Sequence, residues 1–260
     1  MLDNPIALDV LRRLGYVHRD VSPGNILRFD DRGILTDLEY IKHENETLTH
    51  DVRLVSGSAI KSSHRPTAAQ GTRLFMSSEV DARSYLHTLK LMEGDVVFRN
   101  NCLHDLESVW WTWLWFMLAH TCDDALAKED FQGNQSPYDP TSQHSAFIAT
   151  FNGDGLHRLQ LFRSKEIRQH LATLPLQMSS SWKAAIQWQL LLLNRYIDAE
   201  SGLALGEALQ ERVFEDAHDE ARRWIQQAAQ DTNLGTIIRL TSSKRAQEEA
   251  AQPANKRQKA

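Results

Sequence analysis

Asp20 and Asn25 stand five residues apart in the run Tyr16-Val17-His18-Arg19-Asp20-Val21-Ser22-Pro23-Gly24-Asn25-Ile26-Leu27, and a second acid, Asp37, follows soon after. His18-Arg19-Asp20 with Asn25 is the pattern in which the Asp acts as base toward a hydroxyl and the Asn as a Mg²⁺ ligand. An amide oxygen and a second carboxylate are hard oxygen donors. Such a pair can share a cation with phosphate oxygens.

The flanking sequence says how these groups are positioned. Asn4-Pro5 reads as a helix N-cap with Pro at the first helical position. Ile6, Val10, Leu11 and Leu14 recur at helical spacing, and Gly15 can end that helix just before the loop. Ile26 to Phe29 is a short apolar run, Asp30 to Gly33 a turn cluster, and Ile34 to Thr36 a second run. This predicts a small β hairpin over Ile26 to Thr36 that delivers Asp37 at its exit. His43 to Gln70 is polar and predicts a long mobile loop, closed by Gly71-Thr72-Arg73-Leu74-Phe75-Met76-Ser77-Ser78-Glu79.

Further on, four of the seven tryptophans fall within Val109 to Leu118. A helix from about Leu103 to Ala119, apolar on nearly every side, must be buried all round and form the central pillar. Asp123 to Gly155 predicts loops with short helices, and Gly153-Asp154-Gly155 a turn. Trp182, Ile186, Leu190, Leu193 and Ile197 predict a helix with Ser181 as N-cap. Leu209, Val213, Ala217, Ala221, Trp224 and Ala228 predict another. The fold class expected is mainly α with a small β hairpin.

The bulk numbers exclude several function classes. The chain is 42% hydrophobic and 24% charged with a net charge of −5. No overall basic surface argues for direct nucleic-acid binding. Cys102 and Cys122 cannot build a disulfide framework or a Cys-based zinc site, and a reducing intracellular compartment fits them. Eleven dispersed histidines form no His-Glu-x-x-His pairing. Met1 to Ala7 carries no signal-peptide pattern, and Val109 to Ala119 is too short to span a bilayer, so no membrane partner is expected.

From Asn4 to Ala199 the sequence resembles the eukaryotic protein-kinase C-lobe, and most closely the fungal-type protein kinase family. The motifs are the Tyr16–Leu27 loop, Asp37-Leu38-Glu39 at the place of Asp-Phe-Gly, and Gly71-Thr72 with Phe75-Met76 and Glu79. Ser77-Ser78-Glu79 stands where many kinases have Ala-Pro-Glu, and His104-Asp105-Leu106-Glu107-Ser108 is similar to the family's helix-F entry. The resemblance implies ATP-dependent phosphoryl transfer to protein hydroxyls, with ATP and Mg²⁺ as cofactors and a protein substrate. It implies Asp20 and Arg19 as catalytic residues, Arg19 pairing with an anionic group on the activation segment, and Asn25 and Asp37 holding Mg²⁺ and nucleotide. Asp105 would brace the catalytic loop through its backbone. Glu79 would make a buried structural ion pair, and His18 and Leu38 would pack as core residues.

The sequence also departs from the family. Ser22 stands where many Ser/Thr kinases have a Lys near the transferred phosphate, removing one positive charge. Glu39 replaces a hinge glycine and adds a carboxylate two residues from Asp37. His18 is only the eighteenth residue, which leaves no room for a Gly-rich loop and nucleotide-binding Lys. The expectation is therefore a C-lobe over 1–240 with the N-lobe absent, in an incomplete chain that alone binds Mg-ATP poorly. The alternative is a catalytically dead kinase-like binding module. A small-molecule phosphotransferase is disfavoured by the segment Gly71 to Glu79, which resembles a protein-substrate platform.

After Leu240 the chain is polar and predicts a disordered basic tail, 241–260. Lys244-Arg245, ten intervening residues, then Lys256-Arg257-Gln258-Lys259 resembles a bipartite signal read by a nuclear import receptor. A nuclear localisation is the consequence. A fluorescent fusion too large to diffuse through pores should become nuclear when residues 240–260 are appended. It should return to the cytoplasm when Lys256, Arg257 and Lys259 are all changed to Ala.

Overall fold

The computed structural model describes residues 4–30, 32–44, 72–85, 98–126, 138–203, 211–231 and 236–240. The expected loop over His43 to Gln70, beyond its first two residues, and the tail 241–260 lie outside the described residues, and His43 itself ends a short strand rather than opening a loop. Helices dominate, joined by three small antiparallel ladders among the described residues. No helix there is long and apolar enough to cross a membrane.

Helix α1 (Asn4–Arg13) leads into strand β1 (Tyr16–Val17). Gly15 makes the junction at φ 76°, and a Cβ there would stand 2.7 Å from His43 Nε2. The hairpin forms as expected: β2 (Ile26–Phe29) pairs with β3 (Arg32–Leu35), Ile26 opposite Leu35. Two further ladders were not foreseen. Strand β4 (Lys42–His43) returns beside β1, so the chain after Asp37 is pinned to the chain before His18. The third ladder joins β5 (His120–Cys122) to β6 (Ile237–Arg239). These strands are two or three residues long, too short for an alternating pattern to show.

The short helix α2 (Ser78–Ala82) precedes α3 (Cys102–Ala119), which is the expected pillar. Sixteen of its residues are buried, and only Trp115 and Phe116 reach partly to the surface. Asn101 caps it, accepting from Leu103 N–H at 3.0 Å, while His104 Nδ1 accepts the Asn101 N–H at 3.1 Å. After α4 (Asp123–Leu126) come α5 (Pro140–Phe151), α6 (Gly155–Arg163), α7 (Glu166–Leu171), α8 (Ser179–Leu203) and α9 (Glu211–Asp231). Around the pillar, Trp110 stacks edge-on against Trp111 and Phe162, and its indole N–H donates to Ala185 O in α8 at 2.8 Å. Two buried glutamines close helix ends: Gln143 donates to Met117 O at 2.9 Å and Gln189 to Phe162 O at 2.6 Å.

Several expected faces are rotated. In α8 the helix starts at Ser179 rather than after Ser181; of the expected stripe Ile186 is buried and Trp182 and Leu193 are partly buried against the core, but Leu190 and Ile197 are exposed. Its buried face is Ala185, Trp188, Leu192, Tyr196 and Ala199. In α1, Val10 and Leu14 are exposed, whereas Leu8, Asp9 and Arg12 are buried. The reason is a charge cluster: Arg12 Nε lies 3.0 Å from Asp9 and Arg222 of α9 lies 3.3 Å from it. His218 of α9 is also buried there, its Nδ1–H donating to Phe214 O at 2.8 Å. In α9 the expected stripe holds: Val213, Ala217, Ala221 and Ala228 are buried and Trp224 is partly buried against the core, while Leu209 lies outside the described residues.

Gly15→Ala should destabilise the chain by about 1–2 kcal/mol from the left-handed backbone alone. The His43 contact adds to that. Urea unfolding should show the loss, and adding His43→Ala should recover part of it.

Candidate active site

The loop after β1 hangs from one buried carboxylate. Asp105, on the first turns of α3, accepts the His18 N–H at 2.7 Å through Oδ2 and the Arg19 N–H at 2.9 Å through Oδ1. Burial pushes the Asp105 carboxyl above the usual carboxylate range, and the two amide bonds draw it back down. This is the bracing expected of Asp105. It holds Arg19 at φ 73°, a left-handed backbone that a non-glycine residue adopts only when its surroundings impose it.

His18 is fully buried, as expected. Its Nε2–H donates to Thr36 O at 3.0 Å, and its Nδ1 accepts the Asp20 N–H at 3.4 Å. One imidazole therefore joins the loop to the residue before Asp37. The hairpin adds a second tie, since Thr36 N–H and Oγ–H donate to Asn25 O at 2.9 and 3.2 Å. Asp37 itself sits at φ 61°.

Asp20 and Asn25 meet directly. Asn25 Nδ2–H donates to Asp20 O at 2.8 Å and to Asp20 Oδ2 at 3.0 Å. Both bonds use the amide nitrogen, which leaves the amide oxygen as the group suited to a cation. Thr72 N–H donates to Asp20 Oδ1 at 2.7 Å, so the segment closing the polar stretch rests on this carboxylate. The Tyr40 hydroxyl is raised above its ordinary pKa, chiefly by its hydrogen bond to Glu39, with smaller contributions from the charges of Asp37 and Asp20. No group of three or more His, Cys, Asp or Glu able to hold a metal occurs among the described residues. The amide oxygen of Asn25 and the carboxylate of Asp37 are hard donors of the type a Mg²⁺ ion would take, with phosphate and water oxygens completing its shell.

One expectation is corrected. Leu38 is not a core residue: it is 55% exposed, turned outward by the 3₁₀ turn Leu38–Tyr40 that starts from the left-handed Asp37. Glu79 is buried and meets His104, whose Nε2 lies 3.0 Å from Oε2. Burial lowers the His104 pKa to about 4. At neutral pH this contact is therefore a hydrogen bond from a neutral ring. The anionic partner expected for Arg19 on the activation segment falls largely on residues outside the described ones.

The sequence reading gave no role to two anchors. Arg158 of α6 donates to Met76 O at 3.2 Å and to Asp81 at 3.1 Å, fixing the segment from behind. Gly155 makes room, because a Cβ there would overlap the Asp81 carboxylate. Glu107, fully buried in α3, is the other. A Glu inside a run that must be buried was the available signal, since a buried charge demands several partners. For Arg158 the sequence offered none.

Residues 5–117 match the family model for fungal protein kinases. No curated protein and no solved structure matches the chain.

Burial of neutral histidine makes stability depend on pH. His104 and His218 both have pKa values lowered to about 4, so between about 4 and 6.5 the unfolded chain binds protons that the folded chain refuses. Stability therefore rises with pH across that window. The partly buried His120 and His170, also lowered by burial, act in the same sense, and Asp105, raised by burial, acts in the opposite one. Urea midpoints should fall from pH 7 to pH 5. His104→Gln, which keeps a donor for Glu79, should flatten the slope by up to one proton's worth, about 1.4 kcal/mol per pH unit.

Proposed function

We propose, from the match of residues 5–117 to the fungal protein kinase family model, that this chain carries the catalytic and substrate-platform lobe for ATP-dependent phosphoryl transfer to protein hydroxyls. The observation that supports this most directly is the Asp20 carboxylate, held by Asn25 on one oxygen and by Thr72 N–H on the other. Asp20 orients the acceptor hydroxyl and takes its proton. The segment from Thr72 presents the acceptor, because its first amide already touches the base.

Asn25 and Asp37 hold Mg²⁺. When bound, the ion neutralises phosphate charge and orients the transferred group. The chain's own residues supply positioning: Asp105 fixes the loop, His18 couples it to Thr36, and Arg158 fixes the platform.

One observation favours a second reading, a catalytically dead binding module. Thr72 N–H occupies an oxygen of Asp20 that an acceptor hydroxyl would otherwise approach. Turnover separates the two. In protein purified from its native cells, phosphate transfer from labelled ATP to a protein acceptor should fall by about 10³-fold or more in Asp20→Asn and in Asp37→Ala. The thermal unfolding midpoint should stay within a few degrees. Transfer that survives Asp20→Asn unchanged would overturn the kinase reading, and no transfer in the wild type would favour the binding module.

A further inference from the structure

Glu107 gathers donors from three parts of the chain. Ser78 gives both its backbone N–H and its Oγ–H to Glu107 Oε1, each at 2.8 Å. The Trp111 indole N–H reaches the same oxygen at 3.0 Å, and the Tyr196 hydroxyl of α8 donates to Oε2 at 2.8 Å. Glu107, Trp111 and Tyr196 are buried to within 1% of completely. A carboxylate removed from water and surrounded by four donors is rigidly placed, because each bond is charge-assisted and no water competes.

Its place in the fold gives this rigidity a use. Asp105 and Glu107 lie two residues apart on α3. Asp105 holds the amides of His18 and Arg19, while Glu107 holds Ser78 at the start of α2. The two held segments meet at one contact, Thr72 N–H on Asp20 Oδ1 at 2.7 Å. Where Thr72 sits relative to Asp20 is thus set from both sides by the same helix. Ser77 reinforces the arrangement by capping α2, its Oγ accepting the Val80 N–H at 3.4 Å.

We infer that Glu107 is a positioning residue that clamps the acceptor platform, through Ser78, at a fixed distance from the catalytic loop that Asp105 clamps. The functional half of this inference rests on the kinase reading above; the clamp itself does not. Ser78 is its moving partner. Its hydroxyl and amide bind Glu107 to the segment, so altering Ser78 loosens the platform without touching the loop that Asp105 holds.

Hydrogen exchange on the full chain tests the clamp without turnover. In Ser78→Ala and in Glu107→Gln, amides of residues 76–82 should exchange about tenfold faster or more, with those of His18 and Arg19 within about twofold of wild type. Ser78→Thr, which keeps both donors, should restore protection. Asp105→Asn should give the converse pattern. If Glu107→Gln fails to fold, the milder Ser78→Ala decides alone. Unchanged exchange at 76–82 in Ser78→Ala, or equal rises there and at His18 and Arg19, would overturn the clamp. In the active protein Ser78→Ala should raise KM for the protein acceptor and leave KM for ATP unchanged, whereas a merely structural loss lowers kcat alone. A wild-type protein that transfers no phosphate would remove the kinase reading, and the exchange result would still judge the clamp.

Discussion

The buried carboxylate of Asp105 is the constraint from which the site follows. It accepts two amides 87 and 86 residues away in sequence, at 2.7 and 2.9 Å. Bonds of this kind, to a charged acceptor, contribute about 1.5–3 kcal/mol each. The left-handed backbone at Arg19 costs about 1–2 kcal/mol. The two bonds therefore exceed the strain, and the loop is held in a shape it would not adopt alone. Without the carboxylate the amides of His18 and Arg19 would be left without these acceptors beside a core, and the loop would relax.

A carboxylate can do this only if its own position does not drift, which explains why α3 is enclosed on nearly every side. Trp110 ties it to α8 through Ala185, Gln143 closes its end from α5, and Trp111 packs edge-on against Phe151. Side chains in such an interior sit in a single packing arrangement. The polar groups on the helix are then fixed reference points. Asp105 serves the loop that begins at His18, His104 serves Glu79, and Glu107 serves Ser78. His104 stays neutral because burial outweighs the attraction of the nearby acids, which spares the core an extra unshared charge.

How much of this was legible depended on whether the cause was local. The hairpin was legible because two apolar runs flank a turn cluster, and α3 because no polar face exists for it to show to water. Asp20, Asn25 and Asp37 were legible as a spaced set, whereas the direct bond from the Asn25 amide to the Asp20 carboxylate was not. The buried faces of α1 and α8 were not. Periodicity ranks apolar residues, so it chose Val10 and Leu14, while the neighbour that α1 meets is charged. Arg222, 213 residues away, makes Asp9 a residue to bury. In α8 the small residues Ala185 and Ala199 face the core because the large ones of α3 already fill it. The anchors Arg158 and Ser78 share this character, since each is defined by a partner far along the chain.

The same distinction bears on the charge of the site. The Tyr40 hydroxyl is raised above its ordinary pKa first by its hydrogen bond to Glu39, with smaller contributions from the charges of Asp37 and Asp20. Neighbouring carboxylates repel a bare phosphate and attract a cation, and the effect is strong where solvent is partly displaced. On the proposed reading, a phosphate-bearing ligand would enter with its charge neutralised by Mg²⁺ rather than bare. The acid at position 39 then has a physical consequence that its place in a motif does not reveal: its hydrogen bond with Tyr40 fixes a further carboxylate two residues from Asp37.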